Sequence, residues 1–446
     1  MSGIAELLVN LGYEVSGSDM QRTDITDRLE SLGVRVTQGH DAHHVANADV
    51  VVYSSAVRLS NPEIVEARAR GLAVVPRAEL LAELMELRQG IAVAGAHGKT
   101  TTTSMIALIL EVAGLDPTAV IGGRVSSFGN ARLGRGKYLV AEADESDRSF
   151  LKLAPRFAVI TNIDREHLEA YADFEDLKAA FVQFANSVPP SGVVILCSDD
   201  PHLQVMRADI KRHTVTYGLQ EGADVTASDV QMKGFGCTCV VVSMRPGGRP
   251  NELGRLELSM PGRHNILNAL AALALARELG IAFSDIARAI AAFHGAERRF
   301  QRHGVVNDVE VVEDYGHHPT EIAAVIAAAR PIPSGRLLVA FQPHRYTRTQ
   351  FLLSEFGRAF DGADVVVLTD IYAAGEDPIE GITLEALARS VEDDFTGELH
   401  TVPALSDVPN ELARLAKAGD LVVLLGAGSI GSIVGAVLRA LESPCL

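Results

Sequence analysis

The chain has 446 residues, 47% hydrophobic and 22% charged, a composition ordinary for a globular protein and unlike collagen-like, low-complexity or wholly disordered chains. Its 57 acidic residues outnumber the 40 basic ones, for a net charge of −17, which argues against a general nucleic-acid or acidic-membrane binder. Four cysteines are too few for a disulfide framework at this length. No apolar run reaches the roughly 18 residues of a membrane-crossing helix, and no basic-then-apolar leader opens the sequence. A reduced, cytoplasmic setting without membrane insertion is expected. At roughly 150 residues per domain, the length suggests about three domains.

Met1–Gly12 reads as a helix, and Tyr13–Asp19 as a strand closing in an acidic residue. Together they form the second half of a nucleotide-binding βαβ unit; its first strand and Gly-rich turn are expected to be missing from this chain. His40, His43 and His44 show no acid or cysteine partner set in the sequence and read as surface. Short Val/Ile-rich runs then alternate with Ala/Leu/Glu-rich amphipathic stretches. The runs are Val50–Tyr53, Ile91–Ala94, Tyr138–Ala141, Ala158–Thr161, Val193–Cys197, Leu337–Phe341, Val365–Thr369 and Leu421–Leu425. Continuous apolar runs of this length suit strands buried on both faces of a parallel sheet, so the class is α/β. Residues 214–260 are strand-rich and Gly-punctuated, which predicts a smaller antiparallel patch, with Cys237 and Cys239 on one strand face. Boundaries are expected near Gly90 and residue 300, giving segments 1–89, 90–299 and 300–446.

After Ile91–Ala94 comes Gly95-Ala96-His97-Gly98-Lys99-Thr100-Thr101. A buried strand runs into a Gly turn and then a helix, so backbone N–H groups can cradle phosphate oxygens. The usual P-loop spacing needs a glycine five residues before Gly98, where Val93 stands; this is the shorter G-x-x-G-K-T form. Lys99 would reach the β/γ-phosphates and Thr100 would place its hydroxyl on Mg²⁺. After Tyr138–Ala141 come Glu142, Asp144, Glu145 and Asp147, either a Mg²⁺-holding strand end or a solvated acidic loop. His167, past the next strand, is a metal ligand, a phosphate contact or a structural histidine. Asn265 and Asn268 lie three apart at the start of a long helix, where amides cap the helix or meet an adenine edge. In the last segment three strands end in polar loops: Glu313-Asp-Tyr-Gly-His317-His-Pro-Thr-Glu321, Gln342-Pro-His344-Arg345-Tyr-Thr-Arg348 and Thr369-Asp-Ile-Tyr-Ala-Ala-Gly-Glu376. Arg345 and Arg348 make a carboxylate or phosphate clamp.

In order, Gly-Ala-His-Gly-Lys-Thr-Thr-Thr-Thr, Glu-Ala-Asp-Glu-Ser-Asp, Thr-Asn-Ile-x-x-x-His, Gly-Arg-His-Asn-x-x-Asn, Arg-Arg-Phe, Asp-Tyr-Gly-His-His-Pro-Thr-Glu and Pro-His-Arg-Tyr-Thr-Arg-Thr occur along the chain. This series resembles the Mur ligases over essentially the whole length. The resemblance implies three domains: a Rossmann-like N-terminal domain for a UDP-sugar, a central P-loop-type ATPase domain and a C-terminal Rossmann-like domain for the amino acid. It implies ATP and Mg²⁺, and amide formation through an acyl phosphate. The tract His344–Arg348 favours the branch that adds L-alanine to UDP-N-acetylmuramate over the branch that attaches a ready-made peptide. By resemblance, Lys99, Glu142 and His167 are catalytic, and Thr100, Glu142 and His167 hold the metal. Gly95 to Thr101 with Asn265 and Asn268 bind ATP, and His317, His344, Arg345 and Arg348 bind L-alanine. A monomer or weak homodimer is implied. The sequence departs from the family at Ala96, where Thr is usual, at Glu166, where Asp is common, and at its start, which implies weak UDP-sugar binding.

Overall fold

Strand formation follows the apolar runs closely. The computed structural model describes residues 1–442 except 55, 126–128, 167, 245–248 and 333. The chain divides into two units, one of residues 1–229, 239–256 and 267–293, the other of residues 230–238, 257–266 and 294–446. The expected boundary at residue 89 falls inside the first unit.

The first unit opens on helix Ser2–Asn10, and the chain turns at Gly12 with φ 91°. Two separate parallel strand pairs follow, Ser16–Asp19 with Arg35–Gln38 and Val50–Tyr53 with Ala73–Pro76; no strand joins the pairs among the described residues. Helix Asp24–Ser31 begins in a reciprocal capping box between Thr23 and Thr26.

A ten-stranded sheet carries the middle of the chain. Its order is Asn251–Leu258, Gly236–Ser243, Val225–Lys233, Thr214–Gly218, Val193–Cys197, Phe157–Ile160, Gln89–Ala94, Tyr138–Glu142, Thr118–Val125 and Gly129–Arg132. The strand-rich stretch after 214 thus forms no sheet apart, since Val225 pairs parallel with Tyr217 and extends the same sheet. Within that extension Val225–Lys233 and Gly236–Ser243, joined by two residues, form the expected antiparallel patch, with Met244 N donating to the Asp224 carbonyl at 2.8 Å, and a second antiparallel pair, Thr118–Val125 with Gly129–Arg132, lies at the other edge. Cys237 and Cys239 share the buried face of Gly236–Ser243, as period-two alternation requires, and both are free thiols. Strand Gln89–Ala94 lies parallel between Tyr138–Glu142 and Phe157–Ile160. Its last five residues are buried, as are all residues of Phe157–Ile160. That three-strand core brings Gly95, Glu142 and Thr161 to one sheet edge.

The second unit holds a six-stranded sheet in the order Gln301–Val306, Val309–Asp314, Leu421–Leu425, Leu337–Phe341, Val365–Leu368, Glu398–Thr401. All neighbours are parallel except the first hairpin. That hairpin turns at Asn307 and Asp308, both at positive φ, where asparagine and aspartate are best tolerated. Alternate residues face two cores. Val339, Phe341, Val366 and Leu368 pack with helices Pro319–Ala329 and Leu384–Glu392. Leu338, Ala340, Val365 and Val367 pack with helices Val408–Leu415 and Val434–Glu442.

Phe150 packs against Phe181 and Phe184 in the first unit, each pair with ring centroids 5.1 Å apart, and Phe184 is fully buried. Phe184→Ala is expected to cost about 3–5 kcal/mol of stability, read as a lower urea midpoint with an unchanged slope.

Candidate active site

The turn after Gln89–Ala94 is fixed by what its glycines exclude. Gly95 has φ 132°, and a Cβ there would lie 2.1 Å from Thr161 Oγ1 and 2.9 Å from the Asn162 carbonyl. Gly98 has φ 82° and caps helix Lys99–Val112; its Cβ would lie 2.5 Å from Asn268 Oδ1. The neighbouring strand end holds the turn. Thr161 Oγ1 and Asn162 Nδ2 donate to the His97 carbonyl at 2.6 and 3.0 Å, and His97 N donates to Asn162 Oδ1 at 2.8 Å. Ala96 N donates to the Asn162 carbonyl, and His97 Nε2 pairs with Asp164 Oδ2 at 2.9 Å. Thr161, Asn162 and Asp164 therefore shape the turn, although their spacing in the sequence marks only a strand end.

Lys99 Nζ bends back into this turn. It donates to the carbonyls of Gly95 and Ala96 at 2.6 and 3.2 Å and to both oxygens of Glu145 at 2.8 and 2.9 Å. Glu145 is 2% exposed. Burial opposes the Lys99 charge, but Glu145, Asp144 and Glu166 raise its pKa above the ordinary lysine value. Burial pushes Glu145 up to about 7, against the pull of Lys99 and with help from Asp144. The causes differ: Glu145 is raised first by its own burial, whereas Lys99 is raised by the several carboxylates that face it. Tyr171 donates its hydroxyl to the Glu145 carbonyl at 2.5 Å.

Beside this pair, Thr100 Oγ1 donates to Glu142 Oε2 at 3.1 Å, and Gly122 N donates to the other Glu142 oxygen at 2.6 Å. A hydroxyl and a carboxylate in a pocket of surplus negative charge are the hard oxygen donors that suit Mg²⁺. His167 lies outside the described residues. Asn268 joins the turn, accepting from Thr102 Oγ1 at 3.3 Å. Asn265 is buried too, and its Nδ2 donates to the Pro261 carbonyl at 2.7 Å. The histidines expected at the surface divide. His44 Nδ1 lies 2.7 Å from Glu63 Oε1, His40 Nδ1 lies 3.0 Å from Ser18 Oγ, and Ser18 donates to Glu63 Oε2 at 2.7 Å. His43 alone is exposed. Glu63, 19 residues from His44 in the chain, supplies the acid that no local spacing indicates.

In the second unit, His317, His344, Arg345 and Arg348 come together. The rings of His317 and His344 are 5.6 Å apart. Arg348 Nη1 donates to His344 Nδ1 at 3.0 Å, which requires a neutral imidazole. Burial, then His317 and Arg348, depress the His344 pKa to about 3. Arg345 sits at φ 71°, a conformation costing a non-glycine residue about 1–3 kcal/mol and found at functional sites. Its Nε is buried without a hydrogen-bond partner. Tyr372 stacks on His344 at 5.6 Å and 17°. Nearby, Asp314 accepts from Phe300 N at 2.8 Å and Gly316 N at 2.6 Å, and burial raises its pKa to about 6. Arg298, at φ 59°, donates to Glu313 at 2.6 Å and to the Gly426 and Gly428 carbonyls. The turn Gly426-Ala-Gly-Ser-Ile-Gly431 has dinucleotide-fingerprint spacing, yet protein groups fill it. A Cβ on Gly428 would meet Gln342 Oε1 at 2.6 Å, one on Gly431 would meet Glu313 Oε1 at 2.2 Å, and Ile430 N already donates to Gln342 Oε1.

A lysine-bearing phosphate turn, an acid beside the following threonine, and a separate cationic pocket on parallel strand ends define a nucleotide-using α/β enzyme of the group-transfer kind. Residues 1–89 match the Mur ligase family catalytic domain, 93–276 the Mur ligase middle domain and 298–428 the Mur ligase glutamate ligase domain. The chain belongs to the Mur ligase family. It is 53% identical over 443 residues to the UDP-N-acetylmuramate–L-alanine ligase of Geotalea uraniireducens, covering 99% of this chain and 96% of that protein. It is 51% identical to the enzyme of that name from Syntrophus aciditrophicus, covering 99% and 91%. The solved UDP-N-acetylmuramate-alanine ligase MurC of Thermotoga maritima superposes with a TM-score of 0.83 at 27% identity, covering 100% of this chain and 97% of that one. No helix among the described residues is long and apolar enough to cross a membrane.

Gly95→Ala must push apart Thr161 and Asn162 and adopt a φ that alanine resists. It is expected to weaken Mg·ATP binding by at least about tenfold in calorimetric titration. Acid is expected to destabilise the second unit through its histidines. His264, depressed to about 4 by burial and Arg299, and His344 stay neutral when folded but protonate once unfolded. Their contribution is complete above pH 6.5 and is lost as pH falls toward 4. The pH dependence of the thermal midpoint should be shallower in His264→Gln and His344→Gln than in the wild type.

Proposed function

We propose that the chain joins L-alanine to the lactyl carboxylate of UDP-N-acetylmuramate, consuming ATP and giving UDP-N-acetylmuramoyl-L-alanine, ADP and phosphate for the peptidoglycan precursor. The observation that carries this reading is end-to-end kinship, at about half identity, with relatives bearing that name. The lysine turn and the strained arginine cluster supply matching chemistry. A carboxylate is a poor acylating agent, so it is first activated. Its oxygen attacks the γ-phosphorus, the bond to the ADP oxygen breaks, and an acyl phosphate forms. The alanine amine then attacks the acyl carbon, and phosphate leaves.

In this reading the backbone from Gly95 to Thr101, with Ala96, His97 and Gly98 between, receives the ATP phosphates. Lys99 exchanges its carbonyl and Glu145 contacts for phosphate oxygens and screens two approaching anions. Thr100 and Glu142, with His167 by family resemblance, hold Mg²⁺, which when bound supplies further charge neutralisation. Asn265 and Asn268 serve the nucleotide. Arg345 and Arg348 take the alanine carboxylate beside His344, which stays neutral and acts as a hydrogen-bonding group, and His317. The segments 1–89, 90–299 and 300–446 serve the UDP-sugar, ATP and amino acid in turn. The enzyme works in the cytoplasm as a monomer or weak homodimer.

Phosphate release with UDP-N-acetylmuramate, ATP and Mg²⁺ should depend on added L-alanine and respond much less to a tripeptide. Lys99→Ala should lower kcat by about 10²–10³-fold, the scale for losing one charge-stabilising donor. Unchanged amide formation in that variant, or a preference for the tripeptide, overturns the reading.

A further inference from the structure

The loop after strand Val365–Leu368 crosses the stretch that carries the two arginines. Tyr372 N donates to the Pro343 carbonyl and Arg345 N donates to the Tyr372 carbonyl, both at 2.8 Å. These bonds bracket His344, whose ring lies under that of Tyr372. Four residues on, Glu376 grips the first turn of helix Tyr346–Phe351. Its Oε2 accepts from Thr347 N at 3.0 Å and its Oε1 from Thr347 Oγ1 at 2.7 Å. Arg345 immediately precedes that helix at φ 71°, and Ala374, in the crossing loop, sits at φ 51°. Two non-glycine residues in the left-handed region persist only where their surroundings over-determine them. The determinants here are the Tyr372 backbone pair on one side and the Glu376 grip on the other. Both ends of one carboxylate on one residue make a charge-assisted, geometrically specific contact. A surface glutamate serving solubility alone would need neither bond.

We propose that Glu376 is a positioning residue for amino-acid binding: through Thr347 it fixes the start of the helix and thereby the orientation of the Arg345 and Arg348 guanidinium groups. The proposal rests on the reading that these arginines hold the carboxylate of L-alanine. The Glu376 carboxylate bonds to Thr347 and not to the arginines themselves, so its loss should misplace the clamp without altering phosphate chemistry. The effect therefore falls on one substrate of three.

Steady-state kinetics of wild type, Glu376→Gln, Glu376→Ala and Thr347→Val, each substrate varied in turn, provide the test. Glu376→Ala should raise KM for L-alanine by about 10–100-fold, the usual range when an outer support of a binding group is removed. KM for ATP, KM for UDP-N-acetylmuramate and kcat at saturating L-alanine should stay within about twofold, since the groups serving them are untouched. Glu376→Gln, which can still accept from Thr347 N, and Thr347→Val, which keeps that N–H, should each fall between. A fall in kcat with KM for L-alanine unchanged, or a parallel rise of all three KM values, overturns the positioning role. Failure of the wild type to release phosphate with any amine overturns the functional reading, and the positioning role with it.

Discussion

A buried ammonium facing a surplus of carboxylate is the constraint around which the nucleotide end is built. Lys99 and Glu145 are withdrawn from water, and removing one partner of such a pair strands the other at a cost of several kcal/mol. Glu145 therefore has to be supplied where Lys99 ends. It comes from the loop after Tyr138–Glu142, the strand directly beside Gln89–Ala94. The other neighbour, Phe157–Ile160, supplies Thr161 and Asn162 to hold the turn carbonyls and amides. A three-strand parallel core thus delivers the lysine, its counterion and the braces of its turn from one edge. Asp144 and Glu166 add further negative charge around the same ammonium, and Glu142 accepts from Thr100 beside it.

The second unit uses the same architecture for a different charge. Its parallel strands also end in polar loops, but the group concentrated there is cationic. Arg345 and Arg348 stand beside a histidine that the structure keeps neutral. Neutrality matters: a protonated His344 could not accept from Arg348 and would add repulsion to the clamp. Burial and the surrounding cations depress its pKa far enough that the clamp holds one protonation state across the physiological range. Strain is stored in the same place, at Arg345 and Ala374, and the crossing loop that carries Tyr372 and Glu376 maintains it.

Much of this was legible in the sequence, and the remainder shares one property. Runs such as Val193–Cys197 and Leu421–Leu425 announce themselves because strands buried on both faces need uninterrupted apolar side chains. The glycine turn before Lys99 is legible because its glycines fall between an apolar strand run and a helix start. Contacts between residues far apart in the chain are what spacing cannot show. Glu145 is 46 residues from Lys99, Glu63 lies 22 from Asp41 and 19 from His44, and Glu376 lies 29 from Thr347. The fate of residues 225–258 was hidden for a related reason. Alternation reveals a strand but not its neighbour, and the parallel register of Val225 on Tyr217 decides that these strands prolong the main sheet.

Glycine spacing alone misleads in the opposite direction, as the turn after Leu421–Leu425 shows. Gly426, Gly428 and Gly431 carry dinucleotide-fingerprint spacing, but each is required by a protein neighbour: the Gln342 carbonyl, the Gln342 and Tyr372 side chains, and Glu313 with Arg298. The amide that would face an anion is spoken for by Gln342, and Arg298 occupies the carbonyls. The glycines of the turn at Gly95 to Gly98 are likewise required by protein neighbours, Thr161 and Asn162 against Gly95 and Asn268 against Gly98, but this turn also carries the Lys99 ammonium, held by the Gly95 and Ala96 carbonyls and by Glu145. Close protein neighbours around the glycines therefore do not separate a ligand turn from a packing turn; what sets the turn at Gly95 to Gly98 apart is the long cation that follows it, the charge an anionic ligand requires.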